Sequence, residues 1–168
     1  MRNRHTLILS LVIVLTMPGF AAYGDENHSA PTKHQADKPS GQHAADLGKP
    51  ASISAATRTV EVGMDDSMRF KPERIEARRG ETIRFVVRNH GQVKHEFVLG
   101  TQAELKKHAA LMAKFPQMEH DDPNAVSVEP GKTAEFAWTF TKSGSFDFAC
   151  LVPGHFEAGM KGKINVRR

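Results

Sequence analysis

The segment SFDFACLVPGHFEAGM, residues 145–160, decides how this chain is read. Its first part alternates. Phe146, Phe148 and Cys150 share one parity and Asp147 and Ala149 the other, the period-two pattern of a half-buried β-strand. A Ser143-Gly144 turn precedes it, and a final strand follows from Lys161 to Val166 through Ile164 and Val166. The stretch from Cys150 to Met160 is therefore a loop between two strands, at one end of a sheet. Pro153 and Gly154 bend its first half, and Gly159 frees its second.

Outward from this loop, from Thr57 onward, the same alternation recurs. Val60, Val62 and Met64 share a parity, as do Ile83, Phe85 and Val87 after an Arg79-Gly80 turn. Ala134, Phe136, Trp138 and Phe140 alternate after Pro130-Gly131. This many short strands separated by Gly and Pro turns imply a β-sandwich or barrel. One helix interrupts them. Thr101 and Glu104 form a capping box, and Leu105, His108, Leu111, Met112 and Phe115 follow at helical spacing until Pro116. The trailing loop, 117–124, is polar and acidic. There is no internal repeat.

The loop also carries the chemistry. Cys150, His155 and Met160 are spaced C-x4-H-x4-M, which sets a thiolate, an imidazole and a thioether within one short turn. A fourth ligand must come from elsewhere, and His95 stands before the apolar run Phe97-Val98-Leu99. Two imidazoles and a thiolate with a long axial thioether suit copper cycling between its two oxidation states. Zinc prefers further Cys, His or carboxylate to a methionine. Iron–sulfur clusters require more than the single cysteine present. The rival readings of Cys150 are an inert buried thiol and a nucleophile with His155 as its base. The second leaves His95 and Met160 without a role.

The loop motif, the strand ending in Cys150 and the upstream His95 resemble the cupredoxins, the group of plastocyanin, azurin, auracyanin and rusticyanin. The resemblance covers residues 57–168. It implies a mainly β, Greek-key β-sandwich with one inserted α-helix, holding a type 1 copper for one-electron transfer. The equatorial ligands fall on His95, Cys150 and His155, and the axial one on Met160. The helix and the segment 115–126 are similar to the bacterial copper-tolerance cupredoxins of the CopI type, which are periplasmic. One departure stands out: the residue after the first histidine, often Asn in electron carriers of this group, is Glu96 here.

A second, weaker constellation is an auxiliary Cu(I) site. Met64 and Met68 flank the turn Asp65-Asp66-Ser67, while Met118 and His120 share the acidic loop. Thioethers and imidazole bind Cu(I) well. The competing reading makes Met64, which continues the Val60 and Val62 parity, a core residue. His90 reads as a turn residue and His108 as a histidine satisfied on its helix.

The N-terminal region reads as an export signal. Arg2 and Arg4 precede an apolar run from Leu7 to Met17, then Pro18-Gly19 and the small residues Ala21, Ala22 and Gly24. The run is too short for a bilayer core, which needs about 20 apolar residues. The expected organisation is a cleaved signal at 1–24, a disordered leader at 25–56 containing His28, His34 and His43, and a cupredoxin domain at 57–168. Those leader histidines either catch metal loosely or are simply solvated. Loss of Arg2 and Arg4 lowers the formal charge of +4 to about +2. With no basic block, nothing argues for nucleic acid. The expected partners are copper ions and a redox partner protein, with the chain a periplasmic monomer. Copper tolerance is the favoured role, a dedicated respiratory electron carrier the alternative. The His-x-His pairs of a multicopper oxidase are missing, and no enzymatic activity is expected, with Cu(I) oxidation the one activity left open.

Overall fold

The computed structural model describes residues 47–118 and 122–168. The expected signal segment, the leader up to residue 46 with its three histidines, and His120 lie outside the described residues. Ten strands and one α-helix follow in order among the described residues, with a single 3-10 turn at Ile53–Ala55: β1 (Gly48–Ala51), β2 (Arg58–Asp65), β3 (Arg69–Lys71), β4 (Arg74–Arg78), β5 (Thr82–Asn89), β6 (His95–Gly100), α1 (Gln102–Lys114), β7 (Ala125–Val128), β8 (Thr133–Phe140), β9 (Gly144–Ala149) and β10 (Lys161–Arg167).

They form two five-stranded sheets, ordered β1-β8-β5-β2-β3 and β4-β10-β9-β6-β7. Most pairs are antiparallel, but β2 with β5 and β4 with β10 run parallel. Parallel neighbours need crossover connections, and the chain supplies them by passing from one sheet to the other. This is the expected cupredoxin-like sandwich.

The inner faces meet through the alternating residues. Val62, Phe85 and Phe140 of one sheet, and Phe97, Phe148 and Ile164 of the other, are all fully buried in one cluster. Aromatic rings stitch the sheets together. Phe85 of β5 lies 5.4 Å from Phe97 of β6, and Phe70 of β3 meets Phe148 of β9 edge-on at 5.0 Å. Such pairs add about 0.5–1.5 kcal/mol each beyond their burial. Cys150 and Met160 belong to the same buried cluster, so the loop is anchored in the core.

Two expectations need correction. Residues 47–56 are not all leader: Leu47 is buried in the core, and β1 pairs antiparallel with β8 from Gly48↔Phe140 to Ala51↔Ala137. This strand has no alternation of its own, and its backbone finds partners on the free edge of β8. The helix also turns a different stripe inward. Its capping box is present, but Leu105, Ala109 and Met112 are its buried residues, while Phe115, at the C-cap, is 53% exposed. Spacing of i, i+4, i+7 holds, and the small Ala109 shares a cluster with Ala149 at the end of β9 and Leu151 just beyond it.

Candidate metal centre

Register brings the ligands to one end of the sandwich. The pairing of Val98 with Ala149 sets the start of β6 beside the loop that leaves β9. That loop is tied at its base, where the Cys150 N–H donates to the Met160 carbonyl at 3.0 Å. Within it, the N–H groups of His155 and Met160 donate to the carbonyls of Val152 and His155, each at 3.0 Å. Two residues turn with positive φ, Gly154 at 88° and Gly159 at 95°, a conformation that side chains with a Cβ resist. The glycines are thus what let eleven residues fold back on themselves.

His95 is the first residue of β6 and is completely buried. Its Nδ1 lies 3.2 Å from Nδ1 of His155, and His155 Nδ1 lies 3.3 Å from Cys150 Sγ. Ligand atoms of the three residues all fall within 4.8 Å of one another. On the far side of the ring, His95 Nε2 is 3.2 Å from the carboxylate of Asp66. An ionised carboxylate only accepts, so Nε2 carries the proton and Nδ1 keeps its lone pair toward Cys150 and His155. Hydrogen bonds from the Gln92 and Val93 backbone and from His95 hold the Asp66 carboxyl below its usual range, that from Gln92 being the largest cause.

The sulfur accepts a hydrogen bond from the Glu96 backbone N–H at 3.3 Å. Burial pushes the Cys150 thiol up to about 12, against the smaller opposing pull of the Glu96 and Val152 N–H groups. Burial and then the neighbouring His95 lower His155. A nucleophilic cysteine needs its thiol shifted downward, so this environment disfavours that reading. A metal must displace the thiol proton, and the buried thiolate then has the cation as its counter-charge.

Two imidazole nitrogens and one thiolate make a soft set, and Met160 is fully buried in the same core cluster as Cys150. No carboxylate joins the cluster among the described residues. The donors of His95, Cys150 and His155 fit copper at a type 1 site.

Of the other candidates, Met64 is 1% exposed inside the main core and Met68 packs against that same cluster. Met118 packs elsewhere, against the cluster under α1. His90 is exposed just after β5. The Glu96 side chain turns to β7, accepting from Ser127 Oγ at 3.2 Å. Its backbone, and not its carboxylate, contacts the sulfur.

Sequence reasoning missed Asp66 and Asn89. Asn89 is 2% exposed. Its Nδ2 donates to the carbonyls of Val93 and Val128, and its Oδ1 accepts from the Gly91 N–H. Together these bonds shape the turn leading to His95. A β-carbon on Gly91 would sit 2.0 Å from Asp66 Oδ1, so only glycine admits the carboxylate. The one available signal was a pair of acids in the β2–β3 turn, which any solvated turn also shows.

Comparisons with known proteins agree with this geometry. The family model described as copper binding proteins of the plastocyanin/azurin family matches residues 56–167. The copper-resistant cuproprotein CopI of Rubrivivax gelatinosus is 49% identical over 99% of this chain and 100% of its own length. The copper-resistant cuproprotein CopI of Pseudomonas aeruginosa is 41% identical over 74% of this chain and 84% of its own. Among solved structures, auracyanin B superposes with a TM-score of 0.58 at 23% identity, covering 73% of this chain and 97% of that one.

Proposed function

This chain belongs to the plastocyanin/azurin family of copper-binding proteins, and from that premise we propose that it is a periplasmic protein of copper tolerance whose copper, held by His95, Cys150, His155 and Met160, exchanges single electrons. The observation that carries the reading is the convergence of two imidazoles and a lone thiol within 4.8 Å. The relatives, named for copper resistance, supply the role. When bound, copper supplies a one-electron couple at this position.

The protein's own groups divide the work. Asp66 fixes the His95 ring and its tautomer. The Glu96 N–H stabilises charge on the Cys150 sulfur. His95, Cys150 and Met160 are sealed from water, while His155 is partly exposed. The His155 edge is therefore the contact point for a redox partner. Export rests on the signal-like N-terminus. No described helix is long and apolar enough to cross a membrane, which is compatible with a soluble exported protein.

The test compares a deletion strain carrying the wild-type gene, the Cys150→Ser gene or neither, grown under rising copper. We expect Cys150→Ser to fail like the deletion, with the protein present in the periplasmic fraction. Full rescue by Cys150→Ser would separate tolerance from this centre. A copper-tolerant deletion strain that fails in respiration would favour the dedicated electron carrier.

A further inference from the structure

A cleft of about 500 Å³ opens beside the copper end, between α1, the segment after it, and the edge formed by β6 and β7. Its lining includes His108, Met112 and Met118. His108 and Met112 stand at i and i+4 on α1, so their side chains leave the same face of the helix about 5–6 Å apart. The Met118 N–H donates to the Phe115 carbonyl at 3.0 Å, a turn that folds the chain back after the helix. The Met118 side chain then packs against the cluster containing Met112.

These residues give one wall of the cleft an imidazole and two thioethers. Two acids, Glu96 and Asp122, line the same space, against one lysine, Lys94, whose ammonium lies 4.0 Å from the Glu129 carboxylate. A docking groove for an apolar side chain would not set two acids into its lining. Thioethers and imidazole together select a soft, monovalent cation, and the acids raise its local concentration.

We propose that this cleft is a second copper site, selective for Cu(I), with His108, Met112 and Met118 as its donors. It is separate from the type 1 centre but adjoins it. Val152 and Pro153 of the ligand loop form part of its lining, as does Glu96, whose N–H holds the Cys150 sulfur. The site goes beyond the tolerance reading, because it requires only that Cu(I) reach the protein. The sequence alone grouped Met118 with Met64 and Met68. The fold instead pairs it with Met112 and His108, two helix residues that read as packing.

The experiment uses the full mature protein with its methionine methyl groups labelled with carbon-13. Cu(I) is added without oxygen, in competition with a chromogenic Cu(I) chelator, and methyl resonances are followed by NMR. The first equivalent should move Met160, and the second should move Met112 and Met118 while leaving Met64 in place. The leader histidines cannot imitate this pattern, since they carry no methyl signal. His108→Gln and Met118→Leu should each weaken the second equivalent and leave the first intact. The Met112→Leu, Met118→Leu double variant should abolish it. The visible band formed with Cu(II), and an unchanged melting temperature, show that each variant is folded and that its type 1 site is intact. Met118 is only half-buried, so its single variant remains decisive even where Met112→Leu disturbs the helix. A second equivalent that leaves Met112 and Met118 unmoved, or that survives in the Met118 variant, would overturn the proposal. Failure of the type 1 assignment would show instead as a missing visible band in the wild type.

Discussion

The two walls of the copper centre are built in opposite ways. One is the loop from Cys150 to Met160, which places three of the four proposed ligands within eleven residues and is held by hydrogen bonds to itself. The other carries His95 alone, and its longest-range supports come from far along the chain. Asp66 reaches across 29 residues to His95 Nε2 and 26 to the Gln92 N–H. Asn89 reaches 39 residues to the Val128 carbonyl. The local wall supplies donors and the non-local wall supplies their orientation. The local wall also holds the partly exposed His155, whereas His95 is fully buried. Exchange with the outside belongs to the first wall and rigidity to the second.

The largest effect should come from the local wall. The intense visible band of a type 1 site depends on a thiolate bonded to Cu(II), so Cys150→Ser should abolish it. Serine is nearly isosteric, and the folded domain should persist with a similar circular dichroism spectrum. A wild-type protein that binds Cu(II) without colour would break the assignment of both walls at once.

Next in size is Asp66→Asn. A carboxylate on the far nitrogen of a metal-binding imidazole fixes its tautomer and raises its basicity, and losing such a partner typically costs about 10–100-fold in metal affinity. We expect a loss in that range, measured by competition, with the band kept. A more basic imidazole favours Cu(II), so the potential should also rise in this variant. An unchanged affinity and potential would reduce the non-local wall to a turn that only happens to touch His95.

This contrast also explains what was legible in the sequence. The ligand loop was readable because its residues are adjacent and their types are rare together. The strands β2, β5, β8, β9 and β10 were readable because each carries its own alternation. Strand β1 was not, because Gly48-Lys49-Pro50-Ala51 has no pattern and owes its conformation to the open edge of β8. The short strands β3, β4 and β7 offer three to five residues each, too few to establish a period. The helix was found from its capping box, but its inward stripe was misjudged, since Ala109 carries no hydrophobic signal and Phe115 carries a strong one. Asp66 and Asn89 were invisible for a different reason. A polar residue in a turn looks solvated until the fold shows what it faces.

A third variant separates tuning from anchoring within the local wall. Met160 is fully buried beside Cys150, yet an axial thioether is a long, weak ligand. Met160→Leu conserves volume and apolar character, so the core should tolerate it at a cost below about 1.5 kcal/mol. The band should survive and the potential should rise, because a donor that favours Cu(II) is gone. Complete loss of copper would show that this residue anchors the metal as firmly as Cys150 does.

The smallest effect is expected at Glu96, where the walls meet. Its carboxylate is the departure from the Asn often found here, and the sequence alone suggested that it alters the bonding around the sulfur. The structure assigns the sulfur contact to the backbone N–H at 3.3 Å, while the side chain accepts from Ser127. Glu96→Gln keeps both the N–H and an oxygen for Ser127, so the band position should not move. Only the negative charge is lost. That charge disfavours Cys150 thiolate and favours the more positive Cu(II) state, so its removal should raise the potential slightly, by less than Met160→Leu does. The shift should shrink at higher salt, because the carboxylate is partly exposed and screening acts over about 10 Å at 0.1 M. A change of colour in Glu96→Gln would mean that the carboxylate itself shapes the copper–sulfur bond, and would move Glu96 from the edge of the centre into it.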